Sequence, residues 1–193
     1  MGVAIVHEWY DHGFEDYVDN ARWEEQAKHG QYLERWRDPN DEVWNEPIVS
    51  ACATDSGNPD RVLFQAVNWS YTTADEWVAD LRKIVPLLQQ KFSNLRRIDM
   101  FTMPRTPGNV PCANLVEQEP DEKTKDSRIK RQVLPFVDEA LERIAAEFPG
   151  LVGIAPKVYA PDCSVYLPLS AHWKEADFPK MAKLYGDIYA GEK

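Results

Sequence analysis

The chain has 193 residues, 44% of them hydrophobic and 28% charged, which is the size and composition of one globular domain rather than a disordered or fibrous chain. With 32 acidic against 22 basic residues its formal net charge is -10, so phosphate backbones and anionic lipid repel it, and nucleic acid and membrane surfaces are poor partners. No apolar run reaches the roughly 20 residues that span a bilayer, and Met1 to Val6 has neither the basic segment nor the apolar length of a signal peptide.

Gly2 to Val6 reads as a short buried strand, apolar and partly β-branched, with a polar segment from His7 to Gly13 after it. Phe14 to Trp36 shows weak helical periodicity through Tyr17, Ala21, Tyr32 and Trp36, broken by Asp38-Pro39-Asn40-Asp41. A loop holds Thr54 to Pro59, and Arg61 to Val67 reads as a buried strand ending at Asn68. Thr73 and Glu76 form a capping box, and Trp77, Leu81, Ile84, Val85 and Leu88 follow at helical spacing, so a helix is predicted over 73–91.

Arg97 to Met103 is the next strand, followed by a Pro/Gly/Asn-rich loop to Cys112 and a polar excursion over 113–127. Ile129, Val133, Phe136, Val137, Leu141, Ile144 and Phe148 predict a helix over 128–148, stopped by Pro149-Gly150. Leu151 to Ala155 is a strand, and Phe178, Met181, Leu184, Tyr185 and Ile188 predict a last helix over 177–189. Alternating strands and helices imply one α/β domain over 1–193, with parallel strands, right-handed crossovers and helices on both faces: a three-layer α/β/α, flavodoxin-like arrangement. Ligands of such sheets bind beyond the carboxyl ends of the strands, where Asn68-Trp69-Ser70, the 104–112 loop and the 156–172 loop all fall.

Three groups of residues carry candidate chemistry. His7, Glu8 and His12 imitate a zinc-peptidase motif, but that chemistry needs a helix, and the competing reading is a polar loop after a strand. Asn68 is either a turn-forming amide or a donor to a ligand oxygen. His172 is either a loop histidine stacked on Trp173 or a general base, since imidazole titrates near neutral pH. The three cysteines, Cys52, Cys112 and Cys163, lack CxxC spacing; their number allows one disulfide and a thiol, or three buried thiols.

From about Gly30 onward the chain resembles an exported bacterial branch of the SGNH/GDSL hydrolases. The resemblance lies in Gly30-Gln31, Trp36 to Asn40 with Val43-Trp44, and the strand Val62 to Asn68. It continues through Arg105 to Cys112, Ala160 to Ser164, Ser170 to Trp173, and Met181 to Gly186. The order of these blocks weighs more than any one of them. The resemblance implies the fold above, no cofactor, a small-molecule or carbohydrate ligand, an extracellular or periplasmic location, and a Cys112–Cys163 pair. It implies an esterase with His172 as base and with Asn68 and Gly30 as oxyanion donors.

Two departures accompany it. No serine follows Val6, Ser50 and Ser56 being the only serines before Asn68, and Thr54-Asp55-Ser56-Gly57 lies too late in the chain. Leu169 holds the place of the usual aspartate, so Asp162 is expected to substitute if its loop folds back. Either the first strand lies upstream of Met1 or the site has been remodelled. The sequence therefore supports an ester hydrolase with an incomplete or remodelled triad, or a non-catalytic domain binding a small ligand or glycan in the same cleft. A metal-dependent site at His7, Glu8 and His12 is the third alternative.

Overall fold

A computed structural model describes residues 1–2, 5–19, 22–27, 30–48, 57–68, 70–110, 112–113, 135–168, 170 and 172–190. Three strands, β1 (Arg61–Gln65), β2 (Arg97–Phe101) and β3 (Val152–Ile154), form a parallel sheet in the order β1-β2-β3. Val62 lies beside Ile98, and Ile98 beside Val152, so the apolar positions of all three strands are in step. The described helices include α1 (Ile5–Tyr10), α2 (Leu33–Trp36), α3 (Ala74–Lys91), α4 (Pro135–Glu147) and α5 (Phe178–Tyr189).

Successive strand side chains point to opposite faces, and the core divides accordingly. Val62, Phe64, Ile98, Met100 and Val152 join one apolar cluster with α2, α3 and α4. Leu63 and Phe101 join another with α1 and α5. The capping box predicted at Thr73 and Glu76 starts α3. Leu81, Val85, Val137 and Ile144 are fully buried, as their helical spacing predicts; Val133 and the predicted helix start at 128 lie outside the described residues.

The amino-terminal segment departs from expectation. Met1 and Gly2 lie along β1, with the Met1 amino group donating to Leu63 O at 2.8 Å and Gln65 N to Met1 O at 2.9 Å. Gly2 also bridges Ala27 in parallel. The strand predicted to reach Val6 does not do so, because Ile5–Tyr10 is helix α1. A short apolar run does not distinguish strand from helix; here Ile5, Val6, Trp9 and Tyr10 are buried together at helical spacing. Among the described residues, the weakly periodic stretch 14–36 contains a 3-10 turn at Phe14–Asp16 and the single turn of α2 rather than one long helix.

Cys112 and Cys163 form a disulfide with Cα atoms 5.5 Å apart, as the resemblance implied. Cys112 follows β2 and Cys163 follows β3, so the bridge ties together the two loops beyond neighbouring carboxyl strand ends. Arg105 and Tyr159 add a parallel bridge between the same loops, and Tyr166 Oη donates to Pro104 O at 3.2 Å.

Candidate functional site

His172 sits in a small backbone frame. Tyr166 and Trp173 form an antiparallel bridge. Leu167 N donates to His172 O at 2.9 Å, Lys174 N donates to Val165 O at 2.7 Å, and His172 N donates to Ser170 Oγ at 3.1 Å. Trp173 is fully buried and packs edge-on against Tyr166. The histidine is therefore held from both sides, while its side chain stays 34% exposed.

Its ring meets a carboxylate from the far end of the sequence. His172 Nδ1 is hydrogen-bonded to Glu8 Oε1, and Trp173 N donates to Glu8 Oε2 at 3.4 Å. Glu8 is only 8% exposed, on the buried side of α1 among Ile5, Val6 and Trp9. The hydrogen bond to Glu8 raises the His172 pKa above its ordinary 6.5, against the opposing effect of burial. An ionised carboxylate only accepts, so the pair places a proton on Nδ1 and makes Nε2 the basic atom of the neutral ring.

Asp162, the acid expected to orient His172, is engaged elsewhere. Its Oδ1 accepts from Ser164 N at 2.7 Å and from Ser164 Oγ, capping the turn Cys163–Val165, and those bonds hold its pKa below the usual value. The acid that meets the histidine is Glu8 instead. Its sequence signal is one acidic residue inside the apolar stripe of residues 5–10, which becomes legible only once that stretch is taken as helix.

Asn68 is tied to the segment that follows Gly30. Gly30 has φ of 79°, the left-handed conformation that favours glycine, and Tyr32 N donates back to its carbonyl at 3.0 Å. The turn leads into α2, where Leu33 N donates to Val67 O at 3.0 Å. Glu34, one residue on, accepts from Asn68 Nδ2, while Asn68 Oδ1 accepts from Ser70 N at 2.8 Å. Asn68 is 4% exposed and does form the local turn; of its two amide hydrogens, Glu34 takes one.

The three residues of the zinc-peptidase-like motif go separate ways. Glu8 turns to His172. The His12 ring packs on Phe178 with centroids 4.8 Å apart. His7 turns to a different set of partners: Nε2 donates to Ala27 O at 2.9 Å, and Nδ1 lies 2.9 Å from Glu25 Oε1 and 3.4 Å from Asp11 Oδ2. The Glu25 carboxylate, more than Asp11, raises the His7 pKa to about 9. Sequence reasoning missed Glu25, whose side chain is fully buried.

Scanned against family models, curated proteins and solved structures, the chain matches none. Among the described residues, no helix is long and apolar enough to cross a membrane.

Proposed function

We propose that the chain is an SGNH-like ester hydrolase with a remodelled acid–base pair, Glu8 and His172, and that acetylated carbohydrates are its substrate class. The hydrogen bond between Glu8 and the His172 ring is the observation that carries this reading. A carboxylate behind an imidazole fixes its tautomer and stabilises the imidazolium that forms when the ring takes a proton. In this role Nε2 removes the proton from the attacking hydroxyl, of a side chain or a water, and returns it to the leaving alcohol. The remaining Asn68 amide hydrogen and the Gly30 turn supply the donors for the oxyanion.

Two apolar clusters that share strands on alternating residues support the three-layer α/β/α arrangement. In such a fold Asn68 and His172 converge at the carboxyl edge of the sheet. The Cys112–Cys163 bridge supports an extracellular or periplasmic location, since disulfides persist in oxidising compartments.

The test is hydrolysis of a short-chain aryl ester and of an acetylated sugar by the full chain. His172→Ala should lower kcat by about 10²-fold or more, as loss of a general base does. Labelling by a fluorophosphonate distinguishes a side-chain nucleophile from water. A rate no higher than that of His172→Ala overturns the enzymatic reading.

One observation favours a second reading, a non-catalytic domain that binds a small ligand or glycan. Glu34 holds the Asn68 amide, and its negative charge beside a developing oxyanion would oppose catalysis. Under that reading acetylated sugars bind without being hydrolysed, and His172→Ala weakens binding alone.

A further inference from the structure

We propose that His7, Asp11 and Glu25 form a binding site for a divalent transition-metal ion of the zinc type, made of residues separate from the Glu8–His172 pair. The three side chains each direct a ligand atom to one place, and these atoms lie within 4.8 Å of one another. The helical turn of α1 runs on through Asp11, whose N–H donates to His7 O at 3.3 Å. This places His7 and Asp11 side by side, four residues apart. Glu25 comes from the segment that pairs with Gly2.

The histidine is oriented as a metal-binding histidine is. A backbone carbonyl only accepts, so the 2.9 Å contact with Ala27 O puts a hydrogen on Nε2. That bond keeps the hydrogen on Nε2 and aims Nδ1 at the carboxylates, as outer partners of ligating histidines do. Nδ1 then faces Glu25 Oε1 at 2.9 Å and Asp11 Oδ2 at 3.4 Å. Ligands about 2.0–2.2 Å from a tetrahedral ion stand roughly 3.3–3.6 Å apart; the Asp11 separation of 3.4 Å falls in that range, and the 2.9 Å contact with Glu25 would have to open to reach it.

Glu25 provides the independent observation. Its side chain has no exposure; Oε1 pairs with His7 Nδ1 at 2.9 Å, and Oε2 has no hydrogen-bond partner. A buried carboxylate oxygen without a donor is costly, and Asp11 brings a second carboxylate to the same ring nitrogen at 3.4 Å. A single proton on Nδ1 satisfies one oxygen at a time, whereas a divalent ion engages all three groups and balances two negative charges. Asp11 and His7 are 44% and 35% exposed, so the ion has a route in and solvent can complete its coordination. One imidazole and few oxygens suit zinc-type ions better than calcium or magnesium, which take oxygen ligands in larger number.

Such an ion clamps α1 to the segment that carries Glu25. The site does not depend on ester hydrolysis, and binding is measured without any substrate. The untagged full chain, stripped with a chelator, is titrated with Zn²⁺ by calorimetry and with Co²⁺ by visible absorption. One equivalent should bind, with intense cobalt bands of low coordination number and a rise in melting temperature. Asp11→Asn and Glu25→Gln should each weaken binding by more than about 10-fold, the lower bound for losing even an outer partner. His7→Gln should abolish it, and His12→Ala should leave it intact. If Glu25→Gln fails to fold, the surface variant Asp11→Asn decides. No saturable binding, or binding indifferent to His7→Gln and Asp11→Asn, overturns the site.

Discussion

Glu8 and His172, 164 positions apart in the chain, share a hydrogen bond between a buried carboxylate and a half-exposed imidazole. One comes from the first helix and the other from the loop before the last. Helices α1 and α5 pack against each other on one side of the sheet, which brings the two residues together.

The pairing sets a pH dependence. Its folded-state pKa is raised above the ordinary 6.5, so the pair's contribution to stability is complete below that value and is lost as pH rises through the folded pKa. Glu8→Gln should therefore destabilise the protein most on the acid side of 6.5 and least at alkaline pH. It should also move the His172 ring titration, followed by NMR, to lower pH. For the proposed hydrolysis, which needs neutral His172, the rate should rise with pH through the folded pKa, and Glu8→Gln should shift that rise downward. An unmoved titration in Glu8→Gln would show that the contact carries no such coupling.

The disulfide should matter for both stability and site. Cys112 and Cys163 are 51 positions apart, and closing a loop of that size restricts the unfolded chain by about 4 kcal/mol. Replacing both by alanine should lower the denaturation midpoint accordingly. Because Cys163 opens the loop that leads to His172, the double variant should also broaden or shift the His172 resonances. Equal stability of the oxidised and doubly substituted chains would contradict this account.

Leu81 is fully buried on α3 within the cluster shared with α4 and the sheet. Leu81→Ala should cost about 2–5 kcal/mol, from lost transfer free energy and the cavity left behind. Denaturant unfolding measures it; a cost well below about 2 kcal/mol, the lower end for such a deletion, would mean that the site collapses around the vacancy.

Gly186 lies where α5 meets Tyr17. A Cβ added there would stand 2.4 Å from Tyr17 Cγ, closer than any real contact, and the opposing atom is a ring carbon rather than the end of a flexible chain. Gly186→Ala should destabilise by about 1–3 kcal/mol through overpacking, even though alanine favours helix by up to about 1 kcal/mol. Tyr17→Ala in the same chain should relieve the clash. A Gly186→Ala chain as stable as the parent would mean that Tyr17 swings aside freely.

The sequence by itself determined the long helices and the strands between them. Their signals are local: the Thr73–Glu76 cap, the stripe from Trp77 to Leu88, and the apolar runs that became β1, β2 and β3. The Cys112–Cys163 pair was legible from the order of the family-like blocks, not from spacing. Tertiary structure alone decided that residues 5–10 are helical, since a five-residue apolar run fits either conformation until the packing of Trp9 and Tyr10 selects one. It alone decided which acid meets His172. Glu8, Asp162 and Glu25 are alike as letters, and which imidazole each reaches depends on chain segments brought together by the whole core. Local patterns follow from periodicity along the backbone, whereas a partner 164 positions away is fixed only by the packing between them.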